Sequence, residues 1–310
     1  MENNPGQWKV GLLGYGEVGR ILAEDLRAQG ITVSAFDVKL GKAAGEALQA
    51  HAAAQGVSLA SSAAELAAGA DLVVSAVTAS QAVTVARECA PGMREAAFFL
   101  DFNSASPNAK REAAQVIAAS GGRYVEGAVM TSVPPYRQRV PLLLGGPHAA
   151  ALHPLLNAIG FASKVASEET GVASAVKMCR SVMIKGLEAM VIESFTTARA
   201  YGVEDAVIAS LRETFPGMDW ERQGTYFFQR VIEHGRRRAE EMREVARTVE
   251  DAGLAPWSAS GTAQRQDWVA DLSDEGLFGP RAAIGKTLAD WRDASDKILA
   301  RTKEKQDPQD

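Results

Sequence analysis

Cysteine and histidine are scarce in this chain, which contains 2 Cys and 4 His among its 310 residues. Neither Cys89 nor Cys179 has a second Cys or a His nearby at the spacing of metal ligands. This scarcity excludes a zinc-finger module and a disulfide framework, and it predicts no bound metal. Both cysteines lie in segments with a helical pattern, so we expect two buried thiols.

Long apolar runs and a surplus of positive charge are also missing. No stretch is apolar for long enough to span a bilayer, and residues 1–7 lack the positive and apolar regions of a signal peptide. The net charge is −5, and the one notable basic run is residues 234–238, which is too short to indicate nucleic-acid binding. We therefore expect a soluble cytoplasmic protein that binds neither nucleic acid nor a membrane.

The chain is long for a single hydrophobic core, and 46% of its residues are apolar, so two domains are expected. Up to about residue 166, short β-rich runs alternate with Ala-rich helical stretches, a pattern typical of a Rossmann-like, doubly wound, mostly parallel α/β sheet. This first domain is predicted to span residues 1–166. The predicted strands are 9–13, 31–36, a short one near 57, 71–77, 97–101, 123–126, 140–144 and 161–165, and the predicted helices include 42–54, 61–68, 80–90 and 107–120.

Beyond residue 167 the β-rich runs disappear, and an all-helical second domain is predicted over residues 167–310. Its first helix, 171–200, is apolar on most sides and long enough to link the two domains, so we expect it to be buried. Further helices are predicted at 204–213, from 219 to 223 or beyond, and at 227–252, 259–270 and 280–302. A disordered tail is predicted at 303–310.

A glycine motif follows the first predicted strand. Gly14, Gly16 and Gly19 are spaced as GxGxxG, and the helical pattern begins directly after them. Such a loop turns tightly at the first glycine, approaches a pyrophosphate at the second and packs the helix onto the strand at the third, while free amides at the helix start meet the phosphate charge. The motif predicts a dinucleotide site that includes Tyr15, Glu17 and Val18.

The second predicted strand ends in Asp37, about 20 residues beyond the glycines, where the fingerprint places an acidic residue that accepts the ribose hydroxyls. A carboxylate there repels a 2′-phosphate, so NAD is the predicted cofactor. Lys39 and Lys42 lie close enough in sequence to leave NADP open.

Lys177 lies in the apolar helix between Val176 and Met178. A buried ammonium either binds a carboxylate or ligand or has its pKa lowered by desolvation, and both outcomes suit proton transfer. Ser181 lies on the same face one turn later and Arg180 is close by, so the three side chains could bind an acidic substrate. The alternative is a lysine that extends to solvent or forms a structural ion pair.

The chain resembles the β-hydroxyacid dehydrogenase superfamily, which includes 3-hydroxyisobutyrate and 6-phosphogluconate dehydrogenases. In that family a nucleotide domain precedes a helical domain, and the linking helix carries a GxxGxxxK-type motif with a catalytic lysine. Residues 171–177, Gly-Val-Ala-Ser-Ala-Val-Lys, occupy that place. The resemblance therefore implies that Lys177 is the catalytic acid or base.

Two further segments resemble those of the family. Residues 101–107, Asp-Phe-Asn-Ser-Ala-Ser-Pro, resemble its DxSTxxP segment, which implies that Asn103 and Ser104 border the nicotinamide, and Val77 and Thr78 complete the predicted cofactor site. Residues 126–132 replace its substrate-binding DAPVSGG, with Thr131 and Ser132 as the implied substrate contacts. Ser181 stands where the family has Asn. Because these substitutions alter the usual carboxylate site, the family's customary substrates do not carry over.

The helical domain resembles a less studied branch, through Lys-Met-Cys-Arg-Ser at 177–181 and the pair Pro134 and Pro135. Where the family closes its active site, the chain has His234 and Arg238, one turn apart. A role for Arg238 in substrate binding and a solvated basic face are both open, and an isolated His234 is more typical of a structural residue.

Taken together, these features predict an NAD(P)-dependent oxidoreductase that transfers a hydride between the nicotinamide and a hydroxyl or carbonyl carbon beta to an anionic group, as in a 3-hydroxy acid. One alternative is an enzyme like the imine reductases, which share this fold but typically lack the lysine. A second is a catalytically silent dinucleotide-binding or interaction protein. The resemblance also implies a homodimer formed through the helical domain.

Overall fold

The computed structural model describes residues 4–280 and 290–306. The chain divides into two compact units, Met1–Met178 and Cys179–Asp310. This division falls within one long helix, whereas the sequence pattern changes near residue 166. The two units are described separately below.

A single sheet of eight strands organises the first unit, in the order β3-β2-β1-β4-β5-β6-β7-β8. All neighbouring strands are parallel except β6 and β7, which pair antiparallel. A mostly parallel sheet was expected, and it is confirmed. The strands are β1 Lys9–Leu13, β2 Thr32–Phe36, β3 Ser58–Leu59, β4 Leu72–Ser75, β5 Phe98–Asp101, β6 Arg123–Val129, β7 Pro141–Gly145 and β8 Ala162–Ser167.

Helices cover both faces of this sheet because its strands are apolar on both sides. In β1, Val10 and Leu12 enter one buried apolar cluster, while Leu13 enters a second cluster on the opposite face. The helices of this unit are α1 Glu17–Ala28, α2 Glu46–Gln55, α3 Ala63–Ala68, α4 Ala82–Cys89, α5 Pro107–Ala119, α6 Val133–Tyr136, α7 Ala149–Ala158 and the start of α8 Val172–Tyr201.

The strand order reverses at β1, which lies between β2 and β4. Chain connections run away from β1 on both sides, so the carboxyl ends of β1 and β4 form the switch point of the sheet. Open α/β sheets bind their ligands at such a switch point. The loops after β1, β4 and β5 all lie at this edge.

Helices make up all the regular structure in the described part of the second unit. It contains the remainder of α8, followed by α9 Glu204–Thr214, α10 Trp220–Asp251, α11 Trp257–Asp274 and α12 Trp291–Gln306. The two helices predicted around 219–223 and 227–252 are one helix, α10, which Asp219 caps by accepting a hydrogen bond from the Arg222 amide. The apolar core of the second unit includes Phe195, Phe228 and Trp291.

Four expectations need correction or restriction. The tail predicted as disordered from residue 303 continues α12 to Gln306, and part of the helix predicted at 280–302 lies outside the described residues. The thiol of Cys179 is exposed, whereas that of Cys89 is buried, and burial raises the pKa of Cys89 to about 12. Helix α8 is not covered on all sides, because Met183 and Met190 are 71% and 60% exposed.

Candidate active site

The glycine loop joins β1 to α1 in the conformation that the motif requires. Gly14 has φ +94°, and a Cβ at this position would lie 2.5 Å from the Ala76 carbonyl oxygen. A Cβ at Gly19 would overlap the Gly14 carbonyl oxygen, so the close approach of α1 to the loop depends on glycine. Gly16 is the N-cap of α1, no side chain caps this helix end, and a Cβ at Gly16 would point into open space. The loop therefore offers backbone amides to an anion, as a pyrophosphate site needs.

Asp37 follows β2 and is hydrogen-bonded to the glycine loop. Its Oδ2 accepts a hydrogen bond from the Tyr15 amide at 2.9 Å, and its Oδ1 accepts one from the Lys39 amide at 2.9 Å. The carboxylate therefore lies beside the glycine loop, and each of its oxygens keeps a lone pair for a ribose hydroxyl. Glu17 is exposed and Val18 half-buried in the first turn of α1.

Tyr15 lies beneath the loop with its ring fully buried. Its hydroxyl is 2.9 Å from Nδ1 of His51, whose Nε2 is 2.9 Å from the Glu24 carboxylate. Burial raises the pKa of Tyr15 to about 12, so the hydroxyl stays protonated. The sequence identifies Tyr15 only as a neighbour of the glycines, whereas the structure makes it a support for the loop.

Asn103 connects the loops after β4 and β5. Its Oδ1 accepts a hydrogen bond from the Val77 amide at 2.7 Å, and its Nδ2 donates to the Ser75 hydroxyl at 2.9 Å. Val77 also packs beside the glycine loop, since a Cβ at Gly14 would lie 2.9 Å from its Cγ1. Thr78 follows and is exposed. Four of the predicted cofactor residues thus lie along one edge of the sheet, and these are Gly14, Asp37, Val77 and Asn103.

A buried charged group supports Asn103 from below. Asp101 is fully buried, and its Oδ1 accepts a hydrogen bond from the Asn103 amide and forms an ion pair with Lys110, each at 2.9 Å. The Tyr124 hydroxyl donates to Oδ2 at 2.8 Å, and burial beside Asp101 raises the pKa of Tyr124 well above its ordinary value. Sequence reasoning missed Lys110, because nothing in its local pattern separates it from a lysine on the solvent face of a helix.

Lys177 lies in the second turn of α8 and is half-buried. Its Nζ donates a hydrogen bond to the Ser104 hydroxyl at 2.5 Å. The predicted catalytic lysine and the predicted nicotinamide neighbour are 73 positions apart in sequence, and the fold of the first unit brings them into contact. Thr131 and Ser132 lie between β6 and α6, where Thr131 is exposed and Ser132 is half-buried.

The remaining predicted residues belong to the second unit. Ser181 is buried on α8, and Arg180 is exposed. Arg238 is buried on α10 and forms an ion pair with the equally buried Glu188 of α8. The pKa of His234 is lowered, mainly because burial disfavours its charged form. Arg238 is therefore not part of a solvated basic face.

The residues that the structure describes contain no group of three or more acidic, His or Cys side chains placed to hold a metal ion. Of the helices within 4–280 and 290–306, none combines the length and the apolar character that crossing a membrane requires.

Comparison with known proteins agrees with this arrangement. Residues 9–183 match the family model described as the NAD binding domain of 6-phosphogluconate dehydrogenase. The chain belongs to this family. It therefore has an NAD-binding domain, and the resemblance to the β-hydroxyacid dehydrogenases is confirmed. Residues 198–269 match a second model, described as a domain of unknown function, DUF1932, which agrees with a divergent helical branch.

Two solved structures are similar to this chain over most of their length. A conserved hypothetical protein from Sinorhizobium meliloti 1021 is 36% identical, with 94% of this chain and 96% of that chain covered and a TM-score of 0.73. The conserved protein MTH1747 of unknown function, reported as structurally similar to 3-hydroxyacid dehydrogenases, is 30% identical, with coverages of 85% and 97% and a TM-score of 0.68.

Two more distant relatives extend the comparison. Mycobacterium tuberculosis 3-hydroxyisobutyrate dehydrogenase shares the fold at 18% identity, with coverages of 94% and 99% and a TM-score of 0.65. An uncharacterized 28.5 kDa protein of Methanothermus fervidus is 27% identical over 172 residues, which are 53% of this chain. The match spans 63% of that protein's length.

Proposed function

We propose that this protein is an NAD(H)-dependent oxidoreductase that transfers a hydride between the nicotinamide and a carbon bearing a hydroxyl or carbonyl group, beta to an anionic group. Family membership supports a dehydrogenase or reductase in general. The substrate class is our proposal, and a 3-hydroxy acid is its simplest representative.

The observation that carries the proposal is the hydrogen bond between Lys177 Nζ and the Ser104 hydroxyl. It places an amine beside the loop that follows β5, at the same edge of the sheet as the glycine loop. A substrate hydroxyl could take the place of the serine hydroxyl as the partner of Nζ. In oxidation the neutral amine would accept the hydroxyl proton, and in carbonyl reduction the ammonium would donate it.

Other residues would bind the cofactor and orient the substrate. The amides of the glycine loop would hold the pyrophosphate, and Asp37 would accept the ribose hydroxyls and repel a 2′-phosphate. When bound, NAD supplies the site that accepts or releases the hydride. Ser104 and Asn103 would border the nicotinamide. The substrate contacts that the resemblance implies stay predictions, and these are Thr131, Ser132, Arg180, Ser181 and Arg238.

The first experiment is a screen of hydroxy acids, amino alcohols and sulfonates. Turnover is followed by NADH absorbance, with NAD and NADP tested in parallel.

The second experiment measures variants of Lys177. Lys177→Arg keeps the positive charge but cannot release its proton, so turnover should fall about 10²- to 10⁴-fold, as in Lys177→Ala. NADH affinity should stay within about twofold in both variants, because Lys177 is absent from the glycine loop. Lys164→Ala, at an exposed lysine on β8, is the matched control and should change neither quantity.

The same screen tests the two alternatives. Cyclic imines are included because imine reductases share the general fold, and turnover of imines alone would replace our proposal with that activity. NADH binding without turnover of any compound would favour a silent dinucleotide-binding protein. Unchanged turnover in Lys177→Arg would remove this lysine from the mechanism.

We further propose a homodimer that covers the exposed apolar side of α8. Met183 and Met190 are seven residues apart, and Ile184 beside them is 41% exposed, so they form one apolar stripe on the helix. Light scattering should then give about twice the chain mass of 32.9 kDa. Met183→Glu with Met190→Glu should produce monomers, whereas Ser210→Glu, at an exposed position on α9, should not. A wild-type monomer at working concentration would refute the dimer.

A further inference from the structure

Glu126 on β6 is a fully buried carboxylate that forms no ion pair with any described residue. The start of α8 satisfies it instead. Its Oε1 accepts hydrogen bonds from the Gly171 and Ala173 amides, each at 2.9 Å, and its Oε2 accepts one from the Ser174 hydroxyl at 2.9 Å. These amides belong to the helix end that carries a partial positive charge, so this carboxylate caps α8 from the sheet.

The sheet makes room for this contact at one specific position. β6 and β7 are antiparallel, and their register pairs Glu126 directly with Gly145. A Cβ at Gly145 would overlap Oε1 of Glu126, so any larger residue would push the carboxylate away from the helix. Gly171 is similarly restricted, since it has φ +103° and a Cβ there would lie 2.9 Å from the Arg111 guanidinium. The cap therefore depends on a match between a strand pair and a helix start.

The cap lies one helical turn from Lys177. Residues three apart on a helix share a face, with about 5–6 Å between their Cβ atoms, and Ser174 and Lys177 are such a pair. Ser174 donates to Glu126 in the middle of β6, and Lys177 donates to Ser104 beyond the end of β5. The first two turns of α8 are thus fastened to two neighbouring strands of the same sheet.

We propose that Glu126 is a positioning residue for Lys177, because it fixes the start of α8 to the sheet and so places the amine beside Ser104. This inference rests on the proposed role of Lys177 in proton transfer. Glu126 itself would touch neither the cofactor nor the substrate.

The charge of Glu126 adds an electrostatic consequence. The partial positive charge at the N-terminus of α8 disfavours an ammonium in the first turns of the helix, and a carboxylate at the same helix end opposes this effect. Asp101 is already paired with Lys110, and Tyr124 stays neutral at ordinary pH. The other charged groups close in sequence are exposed and screened by water, and these are Glu168, Glu169 and Arg180. Removing the Glu126 charge should therefore lower the pH at which Lys177 loses its proton.

The test compares Glu126→Gln, Ser174→Ala and a control, Glu65→Gln, in the full-length protein. Glu65 also sits at a helix start, where its carboxylate accepts a hydrogen bond from the Ser61 amide, but α3 carries none of the predicted site residues. Lysine-labelled protein observed by ¹³C NMR gives the titration midpoint of Lys177, whose signal is assigned by its loss in Lys177→Ala. NADH fluorescence gives cofactor affinity, and kcat is measured with the best compound of the screen.

In Glu126→Gln we expect the Lys177 midpoint to fall by about one pH unit, because the variant removes a negative charge from the start of the helix that carries this lysine. We also expect kcat to fall about tenfold and NADH affinity to stay within about twofold. Ser174→Ala keeps the charge and loses one of the three hydrogen bonds, so its kcat should fall less. Glu65→Gln should match the wild type in all three measurements.

A folded Glu126→Gln with the wild-type midpoint and kcat would overturn the proposal, since Glu126 would then only join helix and sheet. If this variant does not fold by circular dichroism, Ser174→Ala decides, because a reduced kcat with unchanged NADH affinity supports the proposal and an unchanged kcat overturns it. If the wild type turns over no compound, the proposed function fails separately. The NMR midpoint in Glu126→Gln then still tests whether Glu126 controls Lys177.

Discussion

The two units bury charged side chains in different ways. In the first unit, Glu126 lies in the middle of β6 and Asp101 lies at the end of β5, and backbone amides satisfy much of their hydrogen-bonding capacity. In the second unit, Glu188 pairs with Arg238, and Lys185 pairs with Glu241 between α8 and α10. The helix interiors there have already used their backbone donors, so a buried charge needs an opposite charge.

The two units also differ in their buried polar atoms that lack a hydrogen-bond partner. Among the described residues, Nε of Arg238 and both amide atoms of Gln266 are buried and have no hydrogen-bond partner in the protein. In the first unit the buried Gln138 is fully engaged, donating to the Ile159 carbonyl at 2.7 Å and accepting from Gln29 at 3.0 Å. Loops and helix ends supply backbone donors and acceptors, whereas facing helix sides supply only the polar groups of their side chains.

The largest expected effect comes from breaking the Glu188–Arg238 pair. Arg238→Met leaves the Glu188 carboxylate buried without its cation, and we expect a loss of about 3–5 kcal/mol in the free energy of unfolding. Lys110→Met in the first unit should lose only about 2 kcal/mol, because the Asn103 amide and the Tyr124 hydroxyl still satisfy Asp101. Urea unfolding by circular dichroism measures both.

Tryptophan fluorescence reports mainly on the second unit, since four of the five tryptophans belong to it and Trp8 alone belongs to the first. A loss seen by circular dichroism but weakly by fluorescence is therefore assigned to the first unit. Replacing both partners, with Glu188→Leu and Arg238→Met together, should recover most of the stability. Equal losses in Arg238→Met and Lys110→Met would contradict the contrast between the two units.

A smaller effect is expected from two buried glutamines. Gln138→Leu removes one partner from two hydrogen bonds and should destabilise the protein by about 1–3 kcal/mol. Gln266→Leu removes an amide that has no protein partner, so we expect no loss of stability, or a gain of about 1 kcal/mol. Thermal unfolding of the two variants gives the comparison directly. A loss for Gln266→Leu as large as that for Gln138→Leu would show that the Gln266 amide is satisfied after all.

The smallest effect concerns a partly exposed pair in the second unit. Hydrogen bonds from Arg292, and a weaker one from Trp291, lower the pKa of Glu221 below its ordinary 4.5. The folded state thus keeps this carboxylate charged to lower pH than the unfolded chain does. The stabilisation is present above about pH 4.5 and is lost as the pH falls through the lowered pKa.

Glu221→Gln should therefore destabilise the protein by about 1 kcal/mol near neutral pH and flatten its acid response. Urea midpoints followed by tryptophan fluorescence at neutral and acid pH measure this change. Glu250→Gln, at an exposed glutamate on α10, is the control and should keep the wild-type response. Parallel acid responses of Glu221→Gln and the wild type would contradict this account.

Most of the fold could be predicted because its signals are local. The strands of the first unit, the glycine turn at Gly14 and the change to helices all follow from periodicity and from backbone needs within a few residues. The exposure of Cys179 and of the methionines on α8 could not be predicted this way. An apolar helix indicates that cover is needed, but the pattern does not tell which sides the rest of the chain covers.

The residues of the candidate site likewise fall into those that local sequence identifies and those that it does not. The glycine loop and Asp37 could be found from spacing, and Lys177 from its apolar surroundings together with a family motif. Glu126 and Lys110 could not be found in this way, because the neighbouring sequence does not show that a glutamate in a strand or a lysine in a helix is buried. The role of Tyr15 as a support for the loop depends on His51, which lies 36 residues away.

The sequence by itself determined the order of the elements, the dinucleotide loop and the candidate lysine, since each depends on side chains that interact with their own backbone or with near neighbours. Only the tertiary structure decided that Lys177 meets Ser104, that Gly145 leaves room for Glu126, and that Glu188 neutralises Arg238. These contacts join residues far apart in the chain, and their geometry is set by strand register and helix packing.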